Sequence, residues 1–200
     1  MITLQDVDAV ITPYKSQPML SPGDASNLSY KLIELLMEGS CEREVLRALS
    51  SLFSTDTYEQ LVQERVINHH CGYPLCGVVD PQKIYHKVQK NPLVAKLKLP
   101  GAYKTSYCTQ QHYQGSEFYK KQLSPEAIWA RTDVVNLDVN PKDQYYTFLL
   151  EDVLDNSDRV PRNSMDTLQQ SLDELRLSVT QQSGVDHNDI KIKEHDASEL

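Results

Sequence analysis

The chain has 200 residues, 40% of them hydrophobic and 8% aromatic, which suits one globular domain with a substantial core. Its 28 acidic and 20 basic residues give a formal net charge of −8, which argues against nucleic acid as a general partner. No apolar run approaches the roughly 18 residues that span a bilayer, and the acidic opening MITLQDVDAV lacks a basic, apolar leader. We therefore expect a cytosolic or nuclear protein with no membrane partner, in which the four cysteines are metal ligands or core thiols and not disulfides.

The N-terminal third has the apolar spacing of helices. Ser21, followed by a proline, is an N-cap signal for a helix over about 22–38. A second helix is predicted over about 45–53, and Ser54 or Thr55 caps a third. Three short helices with tight connections should pack as a bundle.

Helical spacing stops after Ile67 and returns over about 109–123. The stretch between is rich in Pro, Gly, Lys and Tyr, so it cannot obviously hold its shape alone. A turn or helix is predicted around Trp129, and a final element of the body over about 145–153.

Most of the negative charge lies at the C-terminal end. Residues 1–150 hold 16 acidic and 15 basic side chains, whereas residues 151–200 hold 12 acidic and five basic ones. We therefore predict a folded body over 1–153 and an acidic tail over 154–200. One amphipathic helix is predicted in this tail over about 164–182, docked on the body, on a partner or on another copy, and its apolar positions are Met165, Leu168, Leu172, Leu175 and Val179.

Two compact pairs of ligand-type residues flank the irregular stretch. Cys71 and Cys76 lie on either side of a Gly-Pro turn in the segment CGYPLCG, and Cys108 and His112 lie one helical turn apart. Three sulfurs and one nitrogen match a tetrahedral zinc site, and a complete Cys3His set leaves no open position for a water nucleophile. We therefore predict a structural zinc ion that closes an atypical zinc finger over about 68–123.

Two alternatives to this ligand set remain open. Either His69 or His70 could replace the histidine at 112, although a C-x3-H pair on a helix has the cleaner geometry. The other alternative is a set of buried free thiols beside a surface histidine.

The motifs occur in a distinctive order: LVQER at 61–65, CGYPLCG at 71–77, YC at 107–108 with His112, FY at 118–119 and ART at 130–132. This combination resembles the Rtr and RPAP family of atypical phosphatases of the RNA polymerase II carboxy-terminal domain, over about residues 20–135. The resemblance implies a mainly α fold, with an N-terminal helical bundle packed on the zinc finger, and here a partly ordered acidic tail follows. It also implies association with RNA polymerase II, shuttling between nucleus and cytoplasm, and removal of phosphate from the heptad repeats, chiefly at the fifth-position serine.

The family's proposed active residues match three positions near the finger. Glu64 and Arg65 lie on the helix that enters the first ligand pair, and Tyr107 directly precedes the third ligand. The carboxylate could activate a water, the guanidinium could bind phosphate and the phenol could orient either one. The alternative is a surface Arg-Glu pair beside a packing aromatic, which would fit a non-catalytic adaptor that binds the phosphorylated tail for polymerase assembly or import.

Two other phosphatase signatures fit poorly. Cys41 and Arg47 satisfy a C-x5-R pattern, but two glutamates between them would repel a phosphate dianion, and a helix is predicted there. Asp6 and Asp8 resemble a D-x-D motif without the buried strand and the alternation of strands and helices that such phosphatases need.

A lysine-rich and tyrosine-rich segment surrounds the finger. Stacking tyrosines and phosphate-screening lysines suit an extended heptad peptide or single-stranded RNA, and a solvated lysine face with packing tyrosines is the plainer interpretation. The lysines are Lys83, Lys87, Lys90, Lys96, Lys98, Lys104, Lys120 and Lys121, and the tyrosines are Tyr85, Tyr103, Tyr107, Tyr113 and Tyr119.

Overall fold

The computed structural model describes residues 1–80, 102–132, 134–135 and 146–155. The predicted tail helix over about 164–182 and most of the irregular stretch before Tyr107 lie outside these residues.

The described chain is mainly helical, as predicted. Its helices are α1 (Leu4–Ile11), α2 (Pro22–Leu36), α3 (Arg43–Ala48), α4 (Thr55–Ile67), α5 (Gln110–Gln122) and α6 (Leu150–Asp155). Short 3-10 turns occupy Thr12–Tyr14, Leu49–Ser51, Ala102–Thr105 and Ile128–Ala130. Within the described ranges the β-structure amounts to three isolated bridges, and no helix there is long and apolar enough to cross a membrane.

Helices α2, α4 and α5 begin at hydroxyl N-caps whose side chains accept a backbone N–H. The Oγ of Ser21 accepts the N–H of Asp24 at 3.1 Å, and the Oγ of Ser54 accepts the N–H of Thr57 at 3.1 Å. Thr109 caps α5 in the same way, because its Oγ1 accepts the N–H of His112 at 3.1 Å. These caps satisfy amide donors that have no partner inside the helix, which explains why the predicted starts of α2, α4 and α5 are confirmed.

Helix α1 was not predicted from the apolar pattern. Thr3 and Asp6 form a capping box at its start, and Val7 and Ile11 are fully buried. Asp6 and Asp8 therefore belong to this short helix, which agrees with the rejection of the D-x-D motif.

One continuous core joins the N-terminal helices to the segment with the ligand residues. Helix α2 packs against α1 and α4, and α5 packs against α4 and α6. The core cluster contains Leu28 and Leu32 of α2 together with Tyr73 and Cys108. The candidate site is therefore built on the helical bundle and shares its stability.

Candidate metal centre

The four predicted ligands lie together. The candidate ligand atoms of Cys71, Cys76, Cys108 and His112 are all within 4.8 Å of one another. The Sγ atoms of Cys76 and Cys108 are 3.7 Å apart, and the Nδ1 of His112 lies 3.0 Å from the Sγ of Cys108 and 3.8 Å from that of Cys71. Zn–S bonds of about 2.3 Å at tetrahedral angles place two sulfurs about 3.8 Å apart, so this arrangement fits such an ion.

His69 and His70 are not members of this cluster. His69 has a positive φ of 62° and a side chain that is 74% exposed, beside Asp80. His70 is half-buried, and its Nδ1 has no hydrogen-bond partner among the described residues. The fourth group of the cluster is His112, as the spacing favours.

Backbone contacts bring the two distant pairs together. The N–H of Gly72 donates to the carbonyl of Ser106 at 2.8 Å, which sets the first pair beside the segment that leads to Cys108. A side chain at Gly72 would not fit, because an added Cβ would lie 2.9 Å from Val62 Cγ1 and 3.1 Å from Ser106 O. The Thr109 cap then starts α5 so that His112 faces the sulfurs one turn later.

The thiols differ in acidity. Hydrogen bonds, first from the Cys76 thiol and then from His112, lower the pKa of Cys71 to about 4. The thiolate at Cys71 in turn raises the pKa of Cys76, while burial is the main cause of the raised pKa of Cys108. One thiolate is thus stabilised even without an ion, and a bound cation would favour the thiolate at all three positions.

Arg65 is completely buried and contacts the backbone of the loop that carries Cys71 and Cys76. Its guanidinium donates to the carbonyl oxygens of Leu36, Gly39, Cys71 (2.8 Å), Tyr73 (3.4 Å) and Cys76 (2.8 Å). Burial lowers the pKa of Arg65, and the nearby thiols Cys41 and Cys71 oppose that shift. A divalent ion held by three thiolates and a neutral imidazole would carry a net charge of −1, and the buried guanidinium, which contacts the carbonyls of Cys71 and Cys76, would offset it.

Tyr107 is also an interior residue. Its hydroxyl lies 3.0 Å from the Oγ of Ser116, which lies 2.9 Å from the hydroxyl of Tyr58. Burial raises the pKa of Tyr107, so the phenol stays protonated at neutral pH.

The three predicted catalytic side chains do not share one open groove, and the structure corrects that expectation. Glu64 is exposed on α4, whereas Arg65 and Tyr107 point into the core and have protein partners. Adjacent residues on a helix face different directions, which is why Glu64 and Arg65 separate. A catalytic role for each of the three stays a prediction.

The C-x5-R pattern forms no phosphate loop. Cys41 is buried, and this burial raises its pKa to about 12. Most of the intervening chain is helix α3, and Arg47 binds Asp152 at 2.5 Å.

The lysine-rich segment is only partly described. Lys83, Lys87, Lys90, Lys96, Lys98 and Tyr85 lie outside the described residues. Of the tyrosines, Tyr107 and Tyr119 are buried, and the half-buried Tyr103 and Tyr113 stack on each other with centroids 6.0 Å apart. Lys120 pairs with Glu59 and Glu117.

The sequence analysis did not predict the roles of two residues near this site. Ser116 joins two buried tyrosines, and Glu151 accepts the hydroxyl of Tyr73 at 2.9 Å. The two small residues Gly115 and Ser116, between aromatic residues of the predicted helix, could have indicated that this part of the helix is closely packed against another element. Nothing local in the sequence indicates that Glu151 reaches Tyr73.

Comparison with known proteins places the chain in a family. A model of the Rtr1/RPAP2 family matches residues 51–124. A crystal structure of Saccharomyces cerevisiae Rtr1 superposes with a TM-score of 0.67 at 32% identity, covering 78% of this chain and 97% of that one. The chain belongs to the Rtr1/RPAP2 family. A crystal structure of Rtr1 from Kluyveromyces lactis gives a TM-score of 0.62 at 32% identity over 75% of this chain and 99% of that one. The predicted family and fold class are thus confirmed.

Curated members of the Rtr1/RPAP2 family are longer than the matched region. The RNA polymerase II subunit B1 CTD phosphatase RTR1 of Saccharomyces cerevisiae is 37% identical over 139 residues, which span 67% of this chain and 61% of the relative. The RNA polymerase II subunit B1 CTD phosphatase Rpap2 of Rattus norvegicus is 26% identical over 55% of this chain and 18% of its own length.

Proposed function

We propose that the chain is a phosphatase of the RNA polymerase II carboxy-terminal domain, with a structural zinc ion at the Cys3His site and the fifth-position serine of the heptad as its main target. The observation that carries the proposal is membership of the Rtr1/RPAP2 family, whose relatives bear this activity in their names. RNA polymerase II is the partner that follows from it, and residence in both nucleus and cytoplasm belongs to the same proposal.

The ligand set supports a structural ion and not a catalytic one. Four protein ligands would complete a tetrahedral shell around such an ion, so no position would be left for a reacting water. The chemistry that such an ion supplies is the closure of the fold around Cys71 and Cys108. Phosphate hydrolysis would then depend on side chains outside the shell, of which Glu64 is the exposed candidate for a general base.

A specific observation favours a second function, a non-catalytic adaptor that binds the phosphorylated tail. Arg65 and Tyr107 have interior hydrogen-bond partners, so two of the three predicted catalytic groups do not face solvent. An adaptor needs no general base and no oriented water.

Phosphate release separates the two functions. Metal-replete protein is incubated with a heptad peptide phosphorylated at the fifth-position serine, and the release of free phosphate is measured. The control for contaminating phosphatases is a mock purification from cells that do not express the protein. Release that falls at least tenfold in Glu64→Gln supports catalysis, because Glu64 is exposed and its loss leaves the core intact. Glu59→Gln, an exposed carboxylate on the same helix, is the matched control and should retain release. Tight peptide binding with no release above the control supports the adaptor.

A further inference from the structure

A groove of about 320 Å³ lies between helices α2 and α4 and the turn Ile128–Ala130. Its volume is at the small end of the range for ligand pockets, about 300–1,000 Å³. None of its lining residues is a ligand of the metal centre, and none carries a formal charge. The groove is therefore a separate feature with a different chemistry from the thiol cluster.

Two large aromatic side chains line the groove from different elements. Tyr30 of α2 is 67% exposed, and Trp129 of the turn is 48% exposed. Next to Trp129, Ile128 is buried and anchors the turn in the core. Aromatic surface left in water beside a concave site is typical of surfaces that bind a partner.

The groove also offers hydrogen-bonding side chains that have no partner in the part of the chain that the structure describes. Within the described residues, the side chains of Ser29, Tyr30 and Gln60 have no hydrogen-bond partner, although all three line the groove. Ser54 and Thr57, by contrast, bond to each other at 2.9 Å. Free hydroxyl and amide groups beside aromatic rings suit a ligand with unpaired backbone carbonyls and apolar rings.

We propose that this groove binds an extended, uncharged, proline-containing peptide. Proline-rich segments adopt the polyproline II conformation, which has no internal hydrogen bonds and docks in grooves lined by aromatic side chains. Proline rings pack on Tyr30 and Trp129, and backbone carbonyls of the peptide accept from Gln60 and Ser29. A phosphorylated segment is a poor occupant, because the lining has no cation to pair with a phosphate.

The inference goes beyond phosphate chemistry, and only the choice of probe rests on the proposed function. In a repeated substrate, an unphosphorylated repeat would occupy this groove while a phosphorylated repeat lies elsewhere.

Trp129 is the single tryptophan of the chain, so its fluorescence reports directly on the groove. The full chain is titrated with a peptide of two unphosphorylated polymerase heptads, with excitation at the red edge of the absorption band where tyrosine contributes little. The expected result is a saturable change in Trp129 emission. A matched peptide with each proline replaced by alanine should bind at least tenfold more weakly. Equal binding of the two peptides, or no binding of the first, overturns the proposal.

Variants locate the binding site. Tyr30→Ala and Trp129→Ala should each weaken binding at least tenfold by calorimetry, and Ile67→Ala, which removes an equally exposed apolar side chain outside the groove, should leave it unchanged. Unchanged affinity in both aromatic variants overturns the assignment. Self-association of the chain that Tyr30→Ala abolishes would overturn it in favour of a second copy as the occupant.

Parallel assays keep the two proposals distinguishable. Phosphate release from a chain that fails to bind the unphosphorylated peptide overturns the groove assignment and leaves the phosphatase standing. Peptide binding by a chain that releases no phosphate supports the groove and counts against the phosphatase alone.

Discussion

Arg65 is a charged residue among the largest fully buried side chains of the described chain. Its donors satisfy carbonyls at the C-terminal end of α2 and in the loop between Cys71 and Cys76. A lysine at this position would present one point charge where the guanidinium presents five donors in a fixed plane. The residue therefore joins the helical bundle to the metal centre.

Replacing Arg65 should destabilise the fold before it affects any chemistry. Arg65→Met leaves several buried carbonyls without a donor, and we expect a loss of about 3 kcal/mol or more in the free energy of unfolding, measured with urea. Arg65→Lys should lose less, and the exposed Glu64→Gln should change stability by no more than about 0.5 kcal/mol. A stable Arg65→Met protein that has lost only phosphate release would instead support a phosphate-binding role.

Gly72 is a second position where one residue decides the site. An added Cβ would lie 3.1 Å from Ser106 O and 3.1 Å from Tyr107 Cε1, and neither group can move freely. Gly72→Ala should therefore lower stability by about 1–3 kcal/mol and reduce the bound metal, measured by unfolding and elemental analysis. Gly23→Ala is the control, because the nearest atom to a Cβ added there is Ser21 Oγ at 3.9 Å, and alanine favours the helix. Equal stability of the two variants would contradict the packing argument.

Between elements, the hydroxyl of Ser116 connects α5 to α4 and to the residue before the third ligand. Ser116→Ala leaves the buried phenols of Tyr58 and Tyr107 without this partner, and the expected loss is about 2–4 kcal/mol. Tyr107→Phe keeps the bond between Ser116 and Tyr58, so it should lose only about 1 kcal/mol. Chemical unfolding of both variants measures the difference. A larger loss in Tyr107→Phe than in Ser116→Ala would show that the cluster is organised otherwise.

Charged contacts hold helix α6 against α3. Asp152 pairs with Arg47 at 2.5 Å and with Arg43 at 3.2 Å, and the Asp152 side chain is 24% exposed. Asp152→Asn should release α6 locally and speed amide hydrogen exchange in Leu150–Asp155, with protection in α2 unchanged, at a cost of about 1 kcal/mol. Asp155→Asn, at a 58% exposed side chain whose ion-pair partner among the described residues is Arg43, should have a smaller effect. Equal exchange in wild type and Asp152→Asn would mean that apolar packing alone holds the helix.

At the scale of the whole molecule, the ion and the core should unfold together. Cys71, Cys76 and Cys108 are members of the core cluster, so removal of the proposed ion would leave thiolates inside it. A strong chelator should remove one metal equivalent, lower the melting temperature and reduce the near-ultraviolet dichroism of the core tyrosines. Cys71→Ser should show the same loss in the absence of chelator.

Cys41→Ala is the matched control for the ion. Cys41 is buried but lies outside the ligand set, so this variant should keep one metal equivalent. Chelation without any change in melting temperature would contradict a structural role for the ion.

The sequence alone determined those features whose physical causes are local. Hydroxyl caps such as Ser21, Ser54 and Thr109 fix helix starts within one turn of chain, and the Cys108-to-His112 spacing places one candidate ligand just before the N-cap of α5 and the other in its first turn. The family resemblance could also be found from the sequence alone, because it depends on the order of short motifs along the chain.

Only the tertiary structure decided which polar side chains are buried and what they contact. Arg65 looks like a surface cation in sequence, yet its partners are the carbonyls of Leu36 and Gly39 at and just after the end of α2, 26 or more residues away, and carbonyls of the Cys71–Cys76 loop, six to 11 residues away. The groove between α2, α4 and Trp129, and the bond from Tyr73 to Glu151, likewise join residues far apart in sequence. Such contacts depend on the packing of the whole chain, and no local pattern encodes the partner of a buried polar group.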